Sequence, residues 1–201
     1  MKLIHTLLAS AALAASMGAN AQVVGSQGTS GGSFLTLSSA GLNGGSVATL
    51  SGGTIYTQDQ PFADIPKGGV FGGTFLAAGP TSGAPATLSF TGGGVSYVSF
   101  LWGSPDTYNR LTVNSTAGSQ LFTTTMLGLP GDGNQAFSQY VQFAAVGSSR
   151  ITSLSFNNLP AMDAFETANY TITPVPEPET YALMLAGLGA IGFVARRRKS
   201  V

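Results

Sequence analysis

Apolar residues occur along most of the chain in short runs that are separated by glycine, asparagine, aspartate and proline. Such runs, bounded by turn-forming residues, are typical of short β-strands rather than of helices. The clearest case is residues 95–102, where Val98, Phe100 and Trp102 fall on one face of the predicted strand. Leu101 falls on the other face, so we expect both faces to be covered and the strand to lie in the middle of a sheet.

The predicted strands cover most of the chain between residues 33 and 173. They are residues 33–37, 47–50, 54–57, 70–76, 86–90, 95–102, 110–113, 120–126, 137–146, 151–156 and 165–173. About ten short strands with glycine-rich turns between them predict one all-β domain, a β-sandwich or a jelly-roll-like fold. We place this domain at residues 34–173. The preceding residues 22–33 are rich in glycine and serine, which predicts a flexible lead-in.

The N-terminal segment differs from this domain. Residues 1–21 begin with a lysine at position 2, continue with an apolar stretch and end with the small residues Ala19 and Ala21. This order is typical of a secretory signal peptide that signal peptidase removes after Ala21. We therefore expect export through the general secretion machinery.

The C-terminal segment, residues 174–201, has three parts. It contains Pro176, Glu177 and Pro178 near its start and the basic residues Arg196, Arg197, Arg198 and Lys199 near its end. Between them lies an uncharged apolar stretch, residues 180–195, which as a helix would be about 24 Å long against a hydrocarbon thickness of about 30 Å. We expect a short transmembrane helix whose basic end stays in the cytoplasm, which leaves the domain outside.

This three-part segment resembles the PEP-CTERM sorting signal of Gram-negative bacteria, which an exosortase in the inner membrane recognises. The resemblance implies that Pro176, Glu177 and Pro178 mark the place of recognition and cleavage. It also implies a precursor anchored in the inner membrane and a mature protein at the cell surface, in the outer envelope or in the extracellular matrix. The alternative is a permanent membrane anchor.

Few residues of the predicted domain are suited to catalysis. The chain has no cysteine, and its one histidine, His5, lies in the predicted signal peptide. The mature protein would therefore lack the commonest general base, the commonest metal ligand and the thiol nucleophile. Its basic residues are Lys67, Arg110 and Arg150, against six acidic ones. This mildly acidic balance argues against a nucleic-acid partner.

The densest polar cluster of the domain is the sequence Trp-Gly-Ser-Pro-Asp-Thr-Tyr-Asn at residues 102–109. Asp106 suits a turn between two strands, Trp102 suits burial, and Asn109 suits the capping of backbone groups. Together with Asp-Ala-Phe-Glu at residues 163–166, the cluster also resembles the body of a family of exosortase-dependent surface proteins with a β-sandwich fold. That family has no established activity, and the resemblance implies a surface or matrix protein.

Four oxygen-bearing residues of these two motifs suggest a metal site. They are Asp106, Asn109, Asp163 and Glu166. Carboxylates and amide carbonyls are the ligands that Ca²⁺ favours, so one Ca²⁺ could hold the two motifs together. The same carboxylates could instead form the acid/base pair of a glycosidase, which needs two carboxyl groups at a fixed separation.

Tyr108 suggests carbohydrate binding, because it lies in a predicted loop where its ring could stack on a sugar. Taken together, these observations predict an exported, exosortase-processed protein of the cell surface or matrix. We expect it to be non-catalytic, to be associated with exopolysaccharide in a biofilm, and to need no cofactor beyond the Ca²⁺ considered above. A carbohydrate-binding module is the first alternative, and a carboxylate-based glycan-active enzyme is the second.

Overall fold

The computed structural model describes residues 22–29, 31–174, 184–188 and 191. The described residues up to 174 form thirteen β-strands and two short 3₁₀ helices, Asn43–Gly45 and Phe71–Gly73. The strands are β1 (Val23–Gln27), β2 (Leu37–Ser38), β3 (Gly41–Leu42), β4 (Ala48–Ser51), β5 (Thr54–Tyr56), β6 (Phe75–Ala78), β7 (Ala86–Phe90), β8 (Val95–Gly103), β9 (Asn109–Ser115), β10 (Gly118–Phe122), β11 (Ser138–Ala145), β12 (Ile151–Asn158) and β13 (Phe165–Pro174). The predicted all-β class is confirmed.

The strands form two antiparallel sheets that pack face to face. Sheet A has the order β2-β3-β4-β7-β12-β9-β10. Sheet B has the order β1-β11-β8-β13-β6-β5. One residue pair, Ile151 with Val95, joins β12 to β8 where the two sheets meet. The domain is therefore a β-sandwich, in which the inner faces of both sheets supply the core.

Aromatic rings form the centre of this core. The ring centroid of Phe100 in β8 lies 5.5 Å from that of Phe156 in sheet A. It also lies 5.9 Å from the centroid of Phe143 and 5.4 Å from that of Tyr170, both in sheet B. All four side chains are fully buried. Phe100 thus joins three strands of sheet B to strand β12 of sheet A.

The outer face of sheet B carries a second, smaller apolar cluster. Phe62 and Ala63, in the connection between β5 and β6, pack against Phe75 and Ala168 on this face. The connection therefore covers part of sheet B from outside. Leu101, which pairs in register with Ala168, is buried as a result. Strand β8 is covered on both faces, as the alternation of its residues predicts.

The flexible lead-in predicted at residues 22–33 is wrong for its first half. Strand β1 (Val23–Gln27) pairs antiparallel with β11 along its whole length, and Val23 is only 1% exposed. Gly25 lies against the rings of Phe122 and Phe143, and any larger side chain there would overlap both rings. Backbone hydrogen bonds hold this pair of strands together. They do not require the alternation of apolar and polar residues by which a strand is recognised in a sequence, and this glycine-rich segment has no such alternation.

Three of the other predicted strands differ from the structure by several residues at one end or both. The strand expected at residues 33–37 is only Leu37–Ser38, which pairs with the unpredicted strand Gly41–Leu42. The strand expected from residue 70 begins at Phe75, because the 3₁₀ helix Phe71–Gly73 precedes it. The strand expected to reach residue 126 ends at Phe122, because the next residues turn and Leu127 donates its backbone hydrogen bonds back to Thr123 and Thr124.

Several predicted features of the two ends lie outside the described residues. They are the signal peptide with Ala19 and Ala21, the motif Pro176, Glu177 and Pro178, and the basic residues Arg196, Arg197, Arg198 and Lys199. Within the predicted transmembrane helix, residues 184–188 and 191 are helical. None of the helices in the described part of the chain is long and apolar enough to cross a membrane.

We expect the substitution Phe100→Ala to lower the free energy of unfolding by about 3–5 kcal/mol, because it leaves a cavity among three buried rings. Leu121→Ala is the matched control: Leu121 lies on β10 and is 46% exposed, so its loss should change stability by less than about 0.5 kcal/mol. Urea denaturation followed by the fluorescence of Trp102 measures both. A cost of less than about 1 kcal/mol for Phe100→Ala would show that the core does not depend on this ring.

Candidate functional site

Two sequence motifs meet in a polar cleft on the outer side of sheet B, which we call the acidic cleft. Its volume is about 220 Å³. Its polar lining includes Asp64, Ser104, Asp106, Tyr108, Asp163 and Glu166. The two motifs meet because Gly103, at the end of β8, pairs in register with Glu166, at the start of β13. The structure thus brings together Asp106, Tyr108, Asp163 and Glu166, whereas Asn109 does not line the cleft.

Asn109 is a fully buried structural amide. Its side-chain oxygen accepts hydrogen bonds from the backbone N–H of Asp106 at 2.8 Å and from Nε1 of Trp102 at 3.3 Å. Its side-chain nitrogen donates to Oδ1 of Asn158 at 3.0 Å and to the carbonyl of Ala164 at 3.4 Å. Both ends of the amide are therefore engaged in joining the two motifs. The bond from the backbone N–H of Asp106 is of the kind predicted for Asn109, in which its side chain caps a backbone group.

Asp163 and Tyr108 also hold parts of the chain together. The carboxylate of Asp163 accepts hydrogen bonds from the backbone N–H of Thr81 at 3.1 Å and from its hydroxyl at 2.6 Å. The hydroxyl of Tyr108 donates to the backbone carbonyl of Asp163 at 2.7 Å. Burial raises the pKa of the Tyr108 hydroxyl, so it remains a donor at neutral pH. These bonds fix the loop after β6 to the start of β13.

Glu166 is the most deeply buried acidic residue of the cleft, since the residue is only 3% exposed. Ser104 donates a hydrogen bond from Oγ to Oε2 at 3.0 Å, and the backbone N–H of Asp64 donates to Oε1 at 3.4 Å. Burial raises the pKa of Glu166 to about 8, since these donors do not replace the lost hydration, and the nearby Asp64 carboxylate raises it further. Glu166 is therefore mostly protonated at neutral pH.

Gly103 of the Trp-Gly-Ser sequence makes room for this arrangement. A Cβ atom at this position would lie 3.0 Å from Cγ of Pro66 and 3.2 Å from Cβ of Glu166. The absence of a side chain thus lets the connection between β5 and β6 lie close over Glu166. Gly103 is the last residue of β8.

Asp106 lies at the edge of the acidic cleft and is half-buried. Burial raises its pKa, and the carboxylate of Asp132 contributes in the same direction. The backbone of Asp106 pairs with that of Asp132, which brings the loop between β10 and β11 to the cleft. Gly133 follows with a positive φ of 62° and lies directly over the Asp106 carboxylate.

The predicted four-residue calcium site is not assembled in the described part of the chain. No group of three or more acidic or histidine side chains in these residues is arranged to hold a metal ion. The physical reason is that Asn109 and Asp163 use their oxygens for hydrogen bonds to the chain itself. Three of the four residues line one cleft, but they do not converge on one point.

Sequence reasoning missed the partners that give these residues their roles. They are Asp64, Thr81, Ser104 and Asn158. Ser104 lies within the polar motif, so its position next to Asp106 was a usable signal. The sequence contained no signal for Asp64, because this residue lies 102 residues before Glu166 and its backbone N–H, not its side chain, donates the hydrogen bond.

The described fold defines the class as an all-β sandwich protein. Residues 174–199 match the family model of the PEP-CTERM protein-sorting motif. No curated protein and no solved structure matches the chain significantly. The chain therefore carries a PEP-CTERM sorting signal, as its C-terminal segment predicts. It is an exported protein that exosortase targets, and its precursor is anchored in the membrane of a Gram-negative bacterium.

We expect the stability of the protein to fall as the pH rises toward 8. The pKa of Glu166 is about 8 in the folded protein, whereas an exposed glutamate has a pKa of about 4.3. The folded state therefore binds this proton more tightly than the unfolded state does. The contribution of the Glu166 proton to stability is complete below about pH 4. It is lost as the pH rises through the pKa that Glu166 has in the folded protein.

Melting temperatures measured from about pH 5 to about pH 8.5 at constant ionic strength test this expectation. Glu166→Gln should flatten the pH dependence, because glutamine is neutral throughout and similar in shape to the protonated acid. Leu121→Ala, an uncharged change at an exposed position of sheet A, is the control and should keep the dependence of the unchanged protein. Equal slopes for all three proteins would contradict the assignment to Glu166.

Proposed function

We propose that the mature protein is a non-catalytic component of the cell surface, the outer envelope or the extracellular matrix, where it associates with the exopolysaccharide of a biofilm. The observation that carries this proposal is the position of the sorting signal. The match begins at residue 174, and β13 ends at Pro174. The folded domain adjoins the signal without a linker, so we place the whole sandwich on the exported side of the membrane.

The chemistry of the acidic cleft supports a non-catalytic role. Asp163 and Tyr108 hold the chain through short hydrogen bonds, and Asn109 uses its whole amide for the same purpose. The residues best placed for chemistry are thus engaged in maintaining the fold. A structural Ca²⁺ is not part of the proposal, since two of its four candidate ligands are among these residues.

One observation favours the second candidate, a carboxylate-based glycan-active enzyme. Glu166 is protonated at neutral pH, as a general acid must be, and Asp106 lines the same cleft. Against this candidate stands the burial of Glu166, whose carboxyl already receives hydrogen bonds from Ser104 and Asp64. Tyr108, the other candidate for sugar binding, lines the acidic cleft beside these carboxyl groups, and its hydroxyl is bonded to the backbone carbonyl of Asp163.

We expect the protein isolated from its host to begin at Gln22 and to end near residues 176–178, because signal peptidase and exosortase remove the two terminal segments. Intact-mass measurement with assignment of both ends tests this. Glu177→Ala should leave the C-terminal segment in place and keep the protein in the membrane fraction, whereas the control Leu121→Ala should be processed normally. A chain that retains Val201 in the mature fraction would contradict the proposal.

Association with exopolysaccharide can be measured separately in the producing bacterium. In a strain that makes no exopolysaccharide, we expect the processed protein to appear in the growth medium, because nothing retains it. In the parent strain it should remain with the cells and the matrix. Equal retention in both strains, measured by quantitative immunoblotting of the two fractions, would refute the association.

A glycan panel separates the enzyme from the non-catalytic protein. We expect no turnover by the mature protein on neutral and acidic polysaccharides over a pH range of about 5 to 8, the range in which a raised carboxyl pKa would act. Turnover that Glu166→Gln abolishes while the melting temperature at pH 5 is preserved would establish the enzyme instead.

A further inference from the structure

A second and larger depression, which we call the strap groove, lies on the outer face of sheet B, and its volume is about 570 Å³. Its floor is formed by β11, β8 and the last part of β13. Its wall is formed by the segment between β1 and Leu35, of which residues 28–29 and 31–35 are described. This segment is fixed at both ends, because the N–H of Gly28 donates to the carbonyl of Tyr140 and the N–H of Leu35 donates to that of Tyr170. The volume falls within the range of about 300–1,000 Å³ that is usual for ligand sites.

The polar groups on the floor of the strap groove are held in place by one another. The hydroxyl of Tyr97 donates to Oε1 of Gln142 at 3.1 Å, and Nε2 of Gln142 donates to Oγ of Ser26 at 3.1 Å. Two residues further along β8, Ser99 lies opposite Thr171 of β13, and the hydroxyls of these two residues are 2.7 Å apart. The strands that carry these residues, β1, β11, β8 and β13, are neighbours in sheet B. A ligand would therefore meet an ordered surface and would lose little affinity to ordering it.

The chemistry of this lining is uncharged. It consists of one aromatic ring, one amide, the hydroxyls of serine and threonine, apolar side chains and the glycine backbone at residues 31 and 32. No acidic or basic side chain is among the described residues that line it. Sugar rings are recognised by this combination, an aromatic face for the C–H side of the ring and amide or hydroxyl groups at its border. A charged ligand would find no counter-charge here.

We infer that the strap groove, with Tyr97 and Gln142 on its floor, binds a segment of a neutral polysaccharide. This inference rests on the proposed association with exopolysaccharide and gives that association a site. The groove also includes Thr173 and Pro174, and the sorting signal begins at Pro174. In the precursor the groove therefore lies at the end of the domain that leads to the membrane.

The test uses the mature protein from its host and the exopolysaccharide of the same bacterium, separated by anion exchange into a neutral and an anionic fraction. We expect the neutral fraction to bind, with Tyr97→Ala weakening the affinity at least about tenfold through loss of the ring. Tyr97→Phe keeps the ring and should bind within about threefold of the unchanged protein. Leu121→Ala, on the opposite sheet, is the matched control and should bind normally.

A second variant keeps the test decisive if Tyr97→Ala does not fold. Thr173 is exposed and lies beside Tyr97 on the same face of the sheet. Thr173→Glu adds bulk and a negative charge to the uncharged lining without touching the core. We expect it to weaken binding at least about tenfold while leaving the melting temperature within a few degrees of the unchanged protein.

The possible outcomes separate the groove from the broader proposal. Equal binding by the unchanged protein, Tyr97→Ala and Thr173→Glu would overturn the groove, as would preference for the anionic fraction or binding of neither fraction. In each case, release of the protein from the strain without exopolysaccharide would still support the proposed function. Conversely, binding that depends on Tyr97, together with unchanged retention in that strain, would support the groove and refute the association in the cell.

Discussion

The contact of Phe100 with rings from both sheets is the interaction on which the rest of this structure depends. Phe100 touches Phe156 across the sandwich and Phe143 and Tyr170 within sheet B. This contact fixes which face of β8 points inward, and a shift of one residue would turn every side chain of the strand to the other side. Because Phe100 points inward, Tyr97 and Gly103 must lie on the outer face.

One strand therefore supplies parts of three surfaces. Its inward residues form the core, Tyr97 near one end forms part of the floor of the strap groove, and Gly103 at the other end lies against Glu166 of the acidic cleft. The outer face between them is closed by the connection between β5 and β6. The polar groups of both depressions make hydrogen bonds within the chain, but the linings differ in charge. Carboxyl groups line the acidic cleft, whereas the side chains that line the strap groove are uncharged.

The alternation of apolar and polar residues was sufficient to predict most strands and the sandwich. Strand β7 was predicted with the bounds that it has, and the central position of β8 followed from the residues on its two faces. Strand β1 escaped prediction because Val23 supplies its only apolar side chain in the core, Gly25 having no side chain, and backbone pairing with β11 does not depend on side chains. The length of β10 was overestimated because the apolar residues after it pack from a turn.

The calcium hypothesis joined Asp106, Asp163 and Glu166, and the three residues do line one cleft, but the sequence did not predict their individual roles. Whether a carboxylate faces a ligand or a backbone N–H depends on which loop packs above it. For Asp163 that partner is Thr81, and for Glu166 it is the N–H of Asp64. Both partners are distant in the sequence and carry no local signal. Side chains that look like a complete set of metal ligands in the sequence can therefore be engaged in hydrogen bonds within the folded chain.

The sequence by itself determined the all-β class and the C-terminal sorting signal. Both depend on local order along the chain: the period of apolar residues in the first case, and the succession of a Pro-Glu-Pro motif, an apolar stretch and a basic block in the second. Only the tertiary structure decided that Glu166 is a buried neutral acid, that Asn109 is a structural amide, and that Tyr97 and Gln142 share the floor of an uncharged groove. These properties arise from burial and from contacts between residues far apart in the chain, and neither can be determined from neighbours in the sequence.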